Sequence, residues 1–132
     1  MIFDYENMFL CKKAVSSYDT TEVVADHVVS NNHGGNAFNR PVFVVWVTGA
    51  ALGGGDLTIT LQTSDDESFS SGVVDLAAYT VLSGSQGQVI AANVPMGAKK
   101  YLRLKLKGSD SITGDGVITA ALVTDHNMIA DL

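Results

Sequence analysis

The sequence predicts an all-β domain, a β-sandwich or barrel, on three observations. Leu57, Ile59 and Leu61 alternate with Thr58, Thr60 and Gln62, the period of two expected of a half-buried antiparallel strand. Similar short apolar segments recur at intervals of roughly ten to fifteen residues, separated by turn-forming clusters. No segment keeps a helical period beyond a turn or two.

In chain order, residues 1–21 come first and look unlike the rest. Ile2, Phe3, Tyr5, Met8, Phe9 and Leu10 crowd together before any clear strand. Left in water, each large side chain would cost about 1.5–3 kcal/mol, so this segment must be covered. We expect an extended N-terminal arm that packs on a neighbouring subunit or partner, the alternative being a self-packed first strand. The remainder, 22–132, is expected to form one β-sandwich domain, since a chain of this length can bury a core without staples.

Within it the candidate strands are 22–29, 41–48, 56–64, 73–82 (with a break near Ala77), 88–94, 99–107 and 116–125. The turn signals between them include Asn31-Asn32-His33-Gly34-Gly35, Gly53-Gly54-Gly55-Asp56, Ser83-Gly84-Ser85-Gln86-Gly87, Pro95-Met96-Gly97 and Gly108-Ser109-Asp110. The three consecutive glycines are read as turn flexibility rather than a phosphate cradle, because no Lys-Ser or Lys-Thr follows them. Segment 41–48 is apolar on both faces, Val42, Val44 and Trp46 on one and Phe43, Val45 and Val47 on the other. Such a strand is central in a sandwich or half of an interface. Pro41 suits its first position, where no ladder donor is needed.

In segment 99–107, Lys99, Tyr101, Arg103, Lys105 and Lys107 share one face, and Leu102, Leu104 and Leu106 share the other. Five of the eight basic residues therefore lie close together, counting Lys100 with Lys99, Arg103, Lys105 and Lys107. This ribbon is either a docking surface or an edge strand protected by lysines. A net charge of −6 and the lack of a second basic cluster argue against nucleic acid. Asp65-Asp66-Glu67 sits where the alternating strand of 56–64 ends. Adjacent acids point in differing directions and lack the alternate spacing of a calcium loop, so a solvated turn or docking loop is expected and no metal.

The other chemical candidates are weak. His27, His33 and His126 are scattered, no Gly-x-Ser-x-Gly elbow occurs, and Cys11 has no histidine near it in sequence. We read Cys11 as a small apolar residue, and Asp110, Asp115 and Asp125 as turn formers. Neither catalysis nor a cofactor is expected. The longest wholly apolar run, Val42 to Val47, falls far short of the ~20 residues of a membrane-spanning helix, so no membrane association is expected. Acids stand near the start where a secretory signal carries lysines, and a single cysteine suits a reducing compartment. Hydrophobic residues make up 46% of the chain and charged residues only 17%, against roughly 25% in an ordinary soluble domain. A surface so poor in charge is expected to lie against something, the plain alternative being a soluble monomer with a hydroxyl-rich sheet.

Three stretches together resemble one family: Met1-Ile2-Phe3-Asp4-Tyr5-Glu6-Asn7-Met8-Phe9, then Leu61-Gln62-Thr63-Ser64-Asp65-Asp66-Glu67-Ser68-Phe69, then Val94-Pro95-Met96-Gly97-Ala98-Lys99-Lys100-Tyr101-Leu102-Arg103-Leu104. In that order, with the closing strand 116–123, they resemble the jelly-roll capsid cement, or decoration, proteins of tailed bacteriophages. The chain departs from that pattern at 31–40, where a longer loop replaces a compact glycine-rich link. The resemblance implies a jelly-roll-like antiparallel sandwich of about eight strands on the outer surface of an icosahedral head. Its partners would be the major capsid protein and itself, as a homodimer or homotrimer, with no catalysis. The interface candidates are Ile2, Phe3, Tyr5, Met8, Phe9 and Leu10 of the arm, Asp65, Asp66 and Glu67 of the acidic loop, and Lys99, Tyr101, Arg103 and Lys105 of the ribbon. Two other readings compete: a carbohydrate-binding sandwich, which would need exposed aromatics around a groove, and a metal-dependent jelly-roll enzyme.

Overall fold

A computed structural model describes residues 8–25, 27–30, 42–95 and 97–123. Among these residues the fold is two antiparallel sheets. The strands are β1 (Met8–Ala14), β2 (Val23–Val24), β3 (Val29–Ser30), β4 (Val42–Thr48), β5 (Leu57–Ser64), β6 (Val74–Val81), β7 (Gly87–Asn93), β8 (Tyr101–Gly108) and β9 (Val117–Val123), with one 3-10 turn at Val15–Ser17. One sheet has the order β1-β9-β4-β7. The other runs β2-β8-β5-β6, with β3 also paired to β8.

The pairings are nested. β5 pairs with β6, β4 with β7, β2 and β3 with β8, and β1 with β9, so the chain is one long hairpin bent over on itself. Successive pairs fall in alternate sheets. With β2 and β3 counted as one interrupted strand, this is an eight-stranded jelly roll, and the all-β sandwich expected from alternation is the observed fold.

Burial follows from the two patterns in the sequence. In the β2-β8-β5-β6 sheet, Leu57, Ile59 and Leu61 of β5 and Leu102, Leu104 and Leu106 of β8 are fully buried toward the other sheet. In the four-stranded sheet, β4 lies between β9 and β7, and the apolar residues of both its faces are buried. Phe43, Val45 and Val47 enter the core between the sheets, where Phe43 meets Phe9 edge-on at 5.8 Å and Tyr79 of the opposite sheet at 5.6 Å. Val42, Val44 and Trp46 join Met8, Ala121 and Val123 in a second buried cluster.

Four expectations change. Residues 8–14 of the supposed arm are strand β1, paired to β9, with Phe9 and Leu10 in the chain's own core; the sandwich therefore includes them, and a domain boundary at 21/22 does not describe this part of the chain. Ile2, Phe3 and Tyr5, Pro41 and the loop 31–40 lie outside the described residues. The single strand expected over 22–29 is broken into β2 and β3, and both pair with β8. Consequently β8 is an interior strand, flanked by β5 on its other side, and lysines are not needed there to protect an edge. The break expected near Ala77 is a bulge: the β5–β6 register slips between Leu61–Ala77 and Gln62–Asp75.

Register also places the loops. The ends of β5 at Leu57, β8 at Gly108 and β6 at Val81 lie together, so the turns 49–56, 82–86 and 109–116 share one end of the sandwich with 15–22. The loop 65–73 and the connection 94–100 lie at the other, beside Ser64 and Tyr101.

Candidate functional site

The acidic loop and the start of the basic strand form one structure at that second end. In register, Gln62 of β5 stands between Arg103 of β8 and Asp75 of β6, all three on the outer face of the sheet. Arg103 Nε donates to Gln62 Oε1 at 2.9 Å, and Gln62 Nε2 donates to Asp75 Oδ1 at 2.7 Å. A polar side chain on an outer sheet face is ordinarily wet, yet Gln62 is only 6% exposed. One cover is the loop after β5, which turns back so that the Phe69 ring lies 4.4 Å from the Arg103 guanidinium. Phe69 is itself 7% exposed and takes a left-handed backbone, φ 55°, uncommon for a bulky side chain.

Asp66 imposes that conformation. Its Oδ1 accepts from the Ser68 amide at 3.0 Å and the Ser68 hydroxyl at 2.8 Å; its Oδ2 accepts from the Ser70 amide at 3.3 Å and from the Ser70 hydroxyl. Its carbonyl accepts from the Phe69 amide at 2.9 Å, and its own amide donates to Ser64 Oγ at 3.0 Å. Hydrogen bonds from Ser70 and then Ser68 hold the Asp66 carboxyl down at about 2. The middle acid is thus an internal staple with its acceptors occupied, while Asp65 and Glu67 are exposed. The three adjacent acids do not act as one surface. The spacing Asp66-x-Ser68-x-Ser70 is a side-chain turn signal that the sequence carried and the charge of the run obscured.

The connection before β8 is fastened to the same loop. The Lys99 amide donates to Thr63 Oγ1 at 2.7 Å, and that hydroxyl donates to the Tyr101 carbonyl at 2.9 Å. Lys99 Nζ donates to the Gly72 carbonyl at 3.0 Å, where the loop returns toward β6. Ser64 Oγ donates to the Ser71 carbonyl at 2.8 Å. Of the basic ribbon, Lys99 and Arg103 therefore serve the loop, Lys105 lies 3.8 Å from Glu22, and Lys107 is exposed. Lys100 lies 5.8 Å from the half-exposed Tyr101 ring. Gln62, Thr63, Phe69 and Asp75 are members of this cluster that sequence reading did not single out, because their neighbours come from other strands.

Met8, Phe9 and Leu10 are not with this cluster as exposed contact residues; all are buried in the four-stranded sheet. Cys11, read as a small apolar residue, is exposed, and β1 bulges on both sides of Leu10. Trp46, the largest aromatic available to a sugar platform, is buried. Among the described residues no three His, Cys, Asp or Glu side chains stand close enough to hold a metal ion. Neither a protein-family model nor a curated protein matches this chain.

Proposed function

We propose that this chain is a capsid decoration protein: a jelly roll that binds the outside of a tailed-phage icosahedral head, joins neighbouring major capsid subunits and associates with itself as a dimer or trimer, without catalysis. A jelly roll alone does not distinguish this role from a lectin or an enzyme. One observation supports it above the fold. Two of the three stretches that carry the resemblance, Leu61 to Phe69 and Val94 to Leu104, are distant in sequence but join in space through Lys99–Thr63, Arg103–Gln62 and Arg103–Phe69. The resemblance therefore follows one built unit rather than scattered matches.

That unit presents a rigid outer surface. Within it Asp65 and Glu67 are exposed and Tyr101 is partly so; farther along β8, outside the unit, Lys105 is partly exposed and Lys107 exposed. Each such contact with a shell would be weak alone, and many copies on one lattice, each engaging adjoining subunits, make the summed effect large. The direct test mixes purified protein with undecorated heads and images the shells. Regular density on the outer surface is the expected result; bare shells at saturating protein would refute the role. In the same assay, Lys105→Glu with Lys107→Glu is expected to lower occupancy and flatten its salt dependence. Unchanged occupancy and salt response would remove the basic face from the contact while leaving the role intact.

A further inference from the structure

Among the described residues the sandwich gapes on one side. β1 is the edge of one sheet and β2 and β3 are the edge of the other; β1 is bulged and the β2–β3 strand is interrupted, so the two edges do not close over the core. Val23 shows the result. It pairs with Leu106, whose side chain is fully buried, and paired residues share a face, yet Val23 stays 38% exposed. Between the edges is a cleft of about 250 Å³ with Phe9, Leu10 and Ala25 buried in its wall and Val23, Val24 and Lys13 around it.

Size and charge narrow the occupant. Sites for whole small molecules run to roughly 300–1,000 Å³, so this cleft suits one large apolar side chain better than a free ligand. Its described lining includes Lys13 and no carboxylate, in a chain whose net charge is −6. The charge complement is an acid. Among the described residues the outer edge of β1 pairs with no strand, and the cleft opens along it, which favours an extended segment over a helix. Bulges limit how much backbone ladder such a segment can form, so side chains must supply most of the contact.

We propose, resting on the decoration reading above, that this cleft takes an apolar side chain from an extended, acidic segment of the shell protein, whose neighbouring carboxylate meets Lys13. Cys11 lines the same cleft and is exposed, which provides an internal probe. Undecorated heads would be titrated with wild type, Lys13→Glu, Val23→Glu and the double control Gln86→Glu/Gln88→Glu. The control changes charge by as much as Lys13→Glu does, at exposed sites in the turn before β7 and in β7, the opposite edge of the four-stranded sheet. Each cleft variant is expected to bind about tenfold more weakly, with the control within about twofold of wild type. All should melt together, since the altered side chains are exposed. Maleimide labelling of wild-type Cys11 is expected to slow when the protein is on heads. Normal binding by both cleft variants, with Cys11 labelled on heads as fast as in solution, would overturn the cleft while sparing the decoration role. Cys11 protection that rises with protein concentration in the absence of heads would assign the cleft to a second copy and overturn the acidic segment. No binding by wild type would refute both.

Discussion

The two ends of the sandwich are held by different chemistry. At the end formed by 15–22, 49–56, 82–86 and 109–116, the loops are tied chiefly by backbone. Leu52 donates to the Ser85 carbonyl, Gly84 to Leu52, Gly53 and Thr113 bond reciprocally, Ile112 donates to Tyr18 and Gly108 to Asp19. At the other end, side chains hold the loop 65–73: Asp66 its serines, Lys99 the Gly72 carbonyl, and Arg103 both Gln62 and the Phe69 ring. Backbone ties accept many residue types but demand close approach. Side-chain ties demand particular residues and tolerate distance. The first end should therefore fail by steric insertion and the second by loss of a named group.

The largest effect is expected from Gly54→Ala. Gly54 has φ +84°, and a Cβ there would sit 2.2 Å from the Ser111 carbonyl oxygen. Backbone cannot yield as a flexible side chain can, so strain and overlap together should cost about 3 kcal/mol or more. Gly84→Ala is the control, because Gly84 has φ +92° with nothing within 4 Å of its Cβ, leaving only the left-handed strain of about 1–2 kcal/mol. Chemical denaturation of the two variants measures the difference. Equal losses would mean that close approach is not what fastens this end.

A smaller and more local effect is expected at the other end. Phe69→Ala removes a ring that is mostly buried and lies on Arg103, at a cost of about 2 kcal/mol, below a core phenylalanine because the loop can relax. Hydrogen exchange should quicken at 65–73 while amides of 52–53 and 112–113 keep their protection. A double-mutant cycle with Arg103→Gln should give a coupling of about 0.5–1 kcal/mol. Zero coupling would reduce the stacked pair to mere proximity, and faster exchange at both ends would deny that they are held independently.

This division also explains what could be read in the sequence. Leu57, Ile59 and Leu61, and Leu102, Leu104 and Leu106, declare their faces because alternation is local, and Gly108 or Pro95 mark where strands stop. The stretches Leu61 to Phe69 and Val94 to Leu104 meet at the end whose geometry depends on residue identity, where Asp66, Lys99 and Arg103 have specific partners. What stayed hidden was pairing. Nothing near β8 says that β2 and β3 cover its edge, so its lysines suggested an edge strand when the strand is interior. Likewise, Gly53-Gly54-Gly55 looked like freedom to turn, whereas the constraint comes from 109–113, far along the chain. Met8 and Leu10 looked like part of an arm because their partners on β9, Ala121 and Ala120, lie at the other end of the sequence.

The most delicate test of the comparison is protonation of Asp66. Its carboxyl is lowered from 3.8 to about 2 by the Ser70 and Ser68 hydrogen bonds, which only the ionised group accepts fully. A depressed folded-state value means that the unfolded chain binds this proton first as pH falls. The contribution is therefore complete above about pH 4 and lost as pH falls toward 2, within the window set by the two values. Asp66→Asn keeps the shape but removes the titration, so its stability should fall less than wild type's between pH 4 and 2. Glu67→Gln, at an exposed position outside the staple, should follow wild type. The reporter must be the loop itself, for example exchange at the Phe69 and Ser70 amides, because global acid unfolding sums every carboxylate. If those amides open equally in wild type and Asp66→Asn on acidification, Asp66 is a bystander and the ties of Ser64, Lys99 and Arg103 hold this end without it.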